Sequence, residues 1–377
     1  MERLIEGRQE QLFDARVEKL LNQMTLEEKV GQTVLGNASA EDIEVNVKLG
    51  KVSAVICDDL ELNNKLQRTA VEESRLGIPL IIGADVIHGY RTIFPLPLAE
   101  SCSWNPELME QTAALAAAEA ATMGVNWIYA PMVDISRDPR WGRIAEGAGE
   151  DPFLGKAIAQ ARVRGFQNAA LPGKRRIAAC PKHYAAYGFA EAGRDYNTVD
   201  ISERTLREVC LPPFKATFEA GSQTIMASFN EIGGVPSTSN GFLLKTILRQ
   251  EWKMNGVVVS DYNAIAELIN HGVAKDLREA ARLSILAGVD IDMASGAYAQ
   301  HLAELVRSGE VSMEVLDRSV RRILKLKMAL GLFEQPYTDE NLADQVILNE
   351  ANRALALEMA RQSIVLIKNE KQTLPLK

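Results

Sequence analysis

Short apolar runs, separated by stretches long enough to hold a helix, recur along most of this chain of 377 residues. Helices come first. Residues 9–32 read as a helix followed by a second start, where Thr25-Leu-Glu-Glu28 has the form of a capping box. Strand and helix patterns then alternate. VSAVIC (52–57) and residues 79–84 read as buried strands, with a polar helix around 63–74 between them. Residues 105–123 open on Asn-Pro and run through alanines, giving a helix whose small face suits close packing on a sheet. Further strands are expected at 126–130, 177–180, 224–229 and 257–260, with helices at 153–168, after Pro212-Pro213 and at 242–252. Beyond Asp261, helices are expected at 261–270, 276–287, 298–308 and 312–330, interrupted by Gly288-Val-Asp-Ile-Asp-Met293.

Val257, Val258 and Val259 are consecutive, the mark of a strand buried on both faces in a parallel sheet. Each connection is long enough to cross over, and right-handed crossovers repeated this often favour closure. The expected fold is therefore α/β, a (β/α)8 TIM-type barrel over residues 1–335, irregular or incomplete around its first strands. An open doubly wound sheet is the alternative. Polar residues collect just past the strand ends: Asp85, the long loop 134–152, Lys182, His183, Asn230, Asp261 and Asp292. In a barrel these positions share one mouth, the edge that carries chemistry. Asp261 either caps the following helix or belongs to that chemistry, whereas Asp290 reads as structural. Residues 336–377 read as a linker and the start of a truncated second α/β domain, with a helix at 353–360 and a strand at 363–367 that lacks a partner. Removing 350–377 should then leave the melting temperature nearly unchanged.

A net charge of −8 disfavours nucleic acid and anionic membranes as partners, and basic clusters such as Lys174-Arg175-Arg176 are short. With 47% hydrophobic and 24% charged residues the chain has the balance of a globular domain, and no segment reaches the roughly 20 apolar residues of a membrane span. Cys57, Cys102, Cys180 and Cys210 are widely spaced and read as small buried hydrophobes. His88, His183, His271 and His301 form neither HxH nor HExxH, so no metal is expected. EGAGED (146–151) completes no GxGxxG, and Gly173-Lys174 lacks the rest of a phosphate loop, so no nucleotide cofactor is expected. What remains at the mouth is carboxylate, Arg, Lys, His, Asn, Trp and Tyr, suited to gripping a polyol. Arg140 reads as part of a loop ion-pair network and Trp141 as a packing anchor.

Several strings make the reading specific. Lys182-His-Tyr-Ala-Ala-Tyr-Gly188, Gly193-Arg-Asp-Tyr-Asn197, Arg140-Trp-Gly-Arg143 with Gly149-Glu-Asp-Pro152, and Val258-Val-Ser-Asp-Tyr262 resemble the N-terminal barrel of glycoside hydrolase family 3, in its β-glucosidase branch. The resemblance runs from about residue 20 to 377. It implies a retaining β-glucosidase-like enzyme acting on terminal non-reducing β-D-glucosyl residues. By it Asp261 corresponds to the nucleophile, Asp85, Arg143, Lys182 and His183 hold the sugar, and Phe229 and Tyr262 flank it. The implied partner is a small β-glucoside or oligosaccharide, with a homo-oligomer or a separate second domain completing the assembly. A periplasmic or extracellular parent is favoured over a cytoplasmic one. Ala148 stands where the family usually has an aromatic residue, so that loop is expected either to pack differently or to leave a wider subsite. Two-domain relatives carry the general acid/base glutamate on the second domain, and residues 184–200 hold no histidine to replace it, so the acid/base is expected to be missing. The alternatives are a non-catalytic or engineered sugar-binding barrel and β-xylosidase-type specificity.

Overall fold

In the computed structural model, which describes residues 2–171 and 175–376 with residues 2–12 by backbone alone, the apolar runs form eight short parallel strands. They are β1 (Val34–Asn37), β2 (Ala54–Ile56), β3 (Ile81–Ala84), β4 (Trp127–Ile128), β5 (Ala178–Ala179), β6 (Thr224–Ala227), β7 (Val257–Ser260) and β8 (Asp292–Met293). Six of them pair in the order β8-β1-β2-β3-β4-β5, and β6 pairs with β7. Parallel bridges Tyr184–Ala227 and Val259–Ile291 join the two pieces, so the strands close into a ring. This is the barrel expected above, and ring closure overturns the open doubly wound sheet. Gly173 and Lys174 lie outside the described residues.

The first strands correct one expectation. β1 is paired on both sides, Val34 against Asp292 and Leu35 against Ala54, so the barrel is complete there. Its irregularity lies in the next crossover, a helix of only six residues, Ile43–Lys48. Side chains alternate across the wall as strand geometry requires. Leu35, Ala54, Ile81, Trp127, Ala178, Met226, Val257, Val259, Ile291 and Met293 fill the interior, while Val258 faces the helices. Gly83 also turns inward, and any Cβ there would collide with the Tyr129 hydroxyl, which takes the missing side chain's space. Asp290 is structural: fully buried, it accepts from Arg249 Nη2 and Arg322 Nη1 at 2.9 Å, from Ser319 Oγ at 2.7 Å and from the Val258 N–H at 2.9 Å. A buried carboxylate is tolerable only with such complete pairing.

Caps set several of the helices. Thr25 and Glu28 exchange both bonds of a capping box, and Asn105, Asp276 and Ser312 each accept from a first-turn N–H. The helix expected over 261–270 is reduced to Glu267–Asn270. Asp261 takes its own neighbour's N–H with its side chain, and Asn263 sits at φ 62°, left-handed backbone that no α-helix continues through. Cys57, Cys180 and Cys210 are buried thiols as expected, but Cys102 is exposed.

The tail departs furthest from expectation. Residues 363–367 form no strand, and Ile367 is 93% exposed, because no sheet edge of the closed barrel faces them. The preceding helix, Glu350–Gln362, instead docks on the barrel. Met359 is fully buried among Phe94, Leu108, Met109 and Ile158. Beside it Glu119, on the helix Pro106–Thr122, accepts from the N–H groups of Arg91 and Thr92, the Thr92 hydroxyl, the Leu348 N–H and Asn352 Nδ2, all at 2.6–3.0 Å. Removing 350–377 therefore strips a buried anchor. Met359→Ala is expected to destabilise by about 2–5 kcal/mol, lowering the melting temperature by roughly 3–6 °C. Ending the chain after Ser363 should leave it unchanged; calorimetry on both variants checks the contrast.

Candidate active site

The strand ends fix the site. β5 stops at Ala179, and the chain continues through Cys180 and Pro181 to Lys182 and His183 at the mouth. β7 stops at Ser260, which places Asp261 beside them. His183 is fully buried and held from two sides. Its backbone N–H donates to Asp134 Oδ2 at 2.8 Å, its Nδ1 lies 2.9 Å from the same oxygen, and its Nε2 lies 2.9 Å from Arg143 Nη2. A guanidinium only donates, so Nε2 is the accepting nitrogen and Nδ1 carries the proton toward Asp134. Burial, and then the charges of Arg143 and Lys182, hold His183 well below its ordinary pKa, which keeps the ring neutral. Burial pushes the Asp134 carboxyl up to about 7, while the His183 N–H and Arg143 pull against it.

Asp261 follows from that tautomer. Its Oδ1 accepts the Tyr262 N–H at 2.7 Å, but Oδ2 is buried with no hydrogen-bond partner. That oxygen is 3.6 Å from His183 Nε2, whose lone pair is already given to Arg143. A carboxylate oxygen without a donor is costly, and it is the form a nucleophile needs. Burial pushes the Asp261 carboxyl up to about 7; Lys182, the Tyr262 N–H and Arg143 oppose the rise, and Asp85 adds to it.

The remaining expected site residues fall around this centre in pairs. Lys182 is buried and donates to Asp85 Oδ1 at 2.5 Å, while the Asp85 side chain is largely exposed at the mouth. Arg143 holds Glu146 through Nε at 2.7 Å and Nη2 at 3.2 Å. Phe229 is buried and packs against Tyr187 and Tyr196, with ring centroids 5.9 and 4.4 Å away. Tyr262 is half exposed, and its hydroxyl accepts from Asn37 Nδ2 at 3.1 Å. The structure thus brings Asp261, His183 and Arg143 together and sets the Lys182–Asp85 pair within electrostatic reach, while Phe229 reaches His183 only through the Tyr187 ring and Tyr262 is tied to Asn37.

Three participants were not singled out by the sequence. Asp134 fixes the His183 ring, Asn37 ties Tyr262 to the end of β1, and Tyr187 meets His183 edge-on with centroids 5.4 Å apart. Asp134 carried a signal, since it is the first acid after the NWIYA strand. Trp141 is the buried anchor expected, donating from Nε1 to Asp195 at 2.8 Å, and the exposed Arg140 pairs with Asp138. Among the described residues, no group of three His, Cys, Asp or Glu side chains is disposed to hold a metal ion, and no helix is long and apolar enough to cross a membrane.

Comparison with known proteins adds identity. Residues 25–326 match the glycosyl hydrolase family 3 N terminal domain. Over 374 residues the chain is 40% identical to a periplasmic beta-glucosidase of Salmonella typhimurium, covering 97% of this chain and 49% of that protein. It is 36% identical to a putative beta-xylosidase of Formosa agariphila, with 97% of this chain and 52% of the other covered. In three dimensions it superposes on a mutant beta-glucosidase of Listeria innocua in complex with laminaribiose at a TM-score of 0.90 and 38% identity, over 96% of this chain and 53% of that one. The same Listeria enzyme has been solved with glucose, again over 53% of its length. The chain therefore spans about half the length of the relatives it matches. It belongs to glycosyl hydrolase family 3, and residues 25–326 form the N-terminal domain of that family.

Proposed function

We propose that this barrel is the glycosyl-transferring half of a retaining β-glucosidase. The observation that carries the reading is the buried, unpartnered Asp261 Oδ2 at the barrel mouth. In the proposed first step Oδ2 attacks the anomeric carbon of a bound glucosyl unit, the bond to the leaving-group oxygen breaks, and an α-linked glycosyl ester forms. Lys182, Arg143, Asp85 and neutral His183 hold the sugar hydroxyls, and Phe229 and Tyr262 border the ring. Their prior pairing (Lys182 with Asp85, Arg143 with Glu146 and His183) fixes them before substrate arrives, which spares ordering cost. Charged Lys182 and Arg143 also stabilise the Asp261 carboxylate against burial.

Retaining hydrolysis needs a second carboxyl as acid and then base. Glu146 is committed to Arg143, and Glu150 is exposed. We assign the proton donor to a group outside these residues, with Glu231, whose Oε2 is buried without a partner, as the alternative within them. The Salmonella relative is named periplasmic, which supports an extracytoplasmic setting for the parent protein.

Trapping tests the reading. Incubation with a 2-deoxy-2-fluoro β-glucoside bearing a good leaving group should add one fluoroglucosyl unit to the intact mass, located on Asp261. An unchanged mass, or a label on Asp85 or Asp292, overturns it. Beta-xylosidases among the relatives make the xylosyl analogue the informative comparison: faster labelling by it would reassign the sugar while leaving the nucleophile in place.

A further inference from the structure

Away from the mouth, three helical segments, Phe242–Glu251, Leu277–Ala287 and Met313–Ala329, contribute to a cavity of about 270 Å³. Arg249 Nη1 donates to the Gly256 carbonyl at 2.6 Å, just before β7, and Asp290 lies just before β8, so the cavity sits at the opposite end of the strands from Asp261. Four cations line it, Lys245, Arg249, Arg318 and Arg322, and among the described residues no Asp or Glu does. The chain carries a net charge of −8, which makes this a local reversal of sign. Asp290 answers only part of that charge. It accepts from Arg249 Nη2 and Arg322 Nη1, each at 2.9 Å, and Arg249 gives its other terminal nitrogen to the carbonyls of Met254 and Gly256. Arg322 is not spent in this way: its Nε and Nη2 have no acceptor among the described residues. There too Lys245 forms neither an ion pair nor a hydrogen bond, and Arg318 reaches only the exposed Glu314, at 3.9 Å, a contact worth little.

We propose that this cavity binds a small phosphomonoester. Like charges gathered around one space without counter-ions repel, and a dianion placed among them relieves that cost. The free side of the Arg322 guanidinium has the fork geometry that takes two phosphate oxygens, with Lys245 and Arg318 as further donors at the entrance. Leu286 and Val315 line the same cavity and give the organic body of the ester an apolar wall, the mixture of surfaces usual in small-molecule sites. No step of glycosyl transfer passes through these residues, so the assignment is independent of the glycosidase reading above.

Calorimetric titration of the 377-residue chain with phenyl phosphate tests this, at about pH 7.5, where the phosphate is doubly charged, and with ionic strength held constant by sodium chloride. One saturable site with a Kd of about 1 mM or tighter is expected. Inorganic phosphate should bind several-fold more weakly, since it leaves the apolar wall uncovered, and uncharged benzyl alcohol should not bind. Lys245→Ala combined with Arg318→Ala should weaken phenyl phosphate at least about tenfold. Both side chains are exposed and neither touches Asp290, and Lys245→Gln with Arg318→Gln repeats the test with bulkier neutral residues should the alanines disturb the helices. Lys215→Ala, in a separate surface cavity, should leave the affinity unchanged. A parent chain that does not bind phenyl phosphate, or variants at 245 and 318 that bind it as the parent does, overturn the site. Equal affinity for phenyl phosphate and inorganic phosphate overturns the ester as its occupant.

Discussion

Asp261→Asn is expected to stop glycosyl-enzyme formation, lowering turnover of an activated aryl β-glucoside by at least about 10⁴-fold, while making the protein more stable in mild alkali. The two effects have one cause. Burial raises the Asp261 carboxyl to about 7 in the folded chain, from an ordinary carboxylate value when unfolded. A carboxyl raised on folding contributes stability that is fully present below its unfolded pKa and is lost as the pH climbs through its folded one. At pH 8 the parent therefore holds a buried charge whose Oδ2 has no donor, and the amide variant does not. The stability gain should be on the order of 1–3 kcal/mol at pH 8 and should vanish toward pH 4. Melting curves of both proteins across that range check it. The same titration appears in reactivity: the trapping rate of the parent should fall as the pH drops below about 7, because the attacking oxygen becomes protonated. Equal melting temperatures at pH 8 would show that folding does not raise the Asp261 carboxyl, and turnover surviving in the variant would remove Asp261 from the nucleophile's place.

The second large effect concerns the proton donor. With Asp261 intact and the acid/base outside these residues, an activated aryl glucoside should glycosylate the protein quickly and then stall, because nothing deprotonates the incoming water. Azide or formate needs no deprotonation. High concentrations of azide should accelerate turnover by about 10²-fold or more and divert the product to β-glucosyl azide, the inverted outcome of attack on an α-linked ester. Cellobiose should remain nearly inert, since its leaving group still needs a proton. Ready cleavage of cellobiose without any response to azide would place the acid within the chain. Glu231 would then be the first candidate, because its Oε2 is buried without a partner in the hairpin after β6, whereas Glu146 is engaged by Arg143.

The barrel was legible wherever hydrophobic runs were long enough to have a period. VSAVIC, PLIIGA and GVVVS each became strands, and the acids and bases just after them did gather at one mouth. β1 escaped because Thr33-Val-Leu-Gly-Asn37 offers only two large apolar residues before a glycine, and its identity as a strand comes from pairing with β8 and β2. Residues 363–367 erred the other way. Ser-Ile-Val-Leu-Ile has strand composition, but composition supplies no hydrogen-bond partner, and a closed barrel has no free edge to lend one. The helical reading after Asp261 failed at Asn263, whose left-handed backbone belongs to a local conformation that apolar spacing does not encode. Within the site, residue types were visible and their pairing was not. That Arg143 fixes the tautomer of His183, and so leaves Asp261 Oδ2 alone, depends on three segments forty or more residues apart converging on one ring nitrogen, Arg143 at 2.9 Å and Asp261 at 3.6 Å.

Glu119 has a mechanical meaning as well as an electrostatic one. Its single carboxylate is the shared hinge pin for the segment that follows β3, through Arg91 and Thr92, and for the segment that leads into the docked helix, through Leu348 and Asn352. Neither strand of chain can peel away without stranding a buried charge that the other still needs. Thrust or torque applied beyond residue 362 therefore reaches the loop that begins at Asp85 on the rim of the mouth by two routes, the Glu119 carboxylate and the Met359 side chain packed on Phe94.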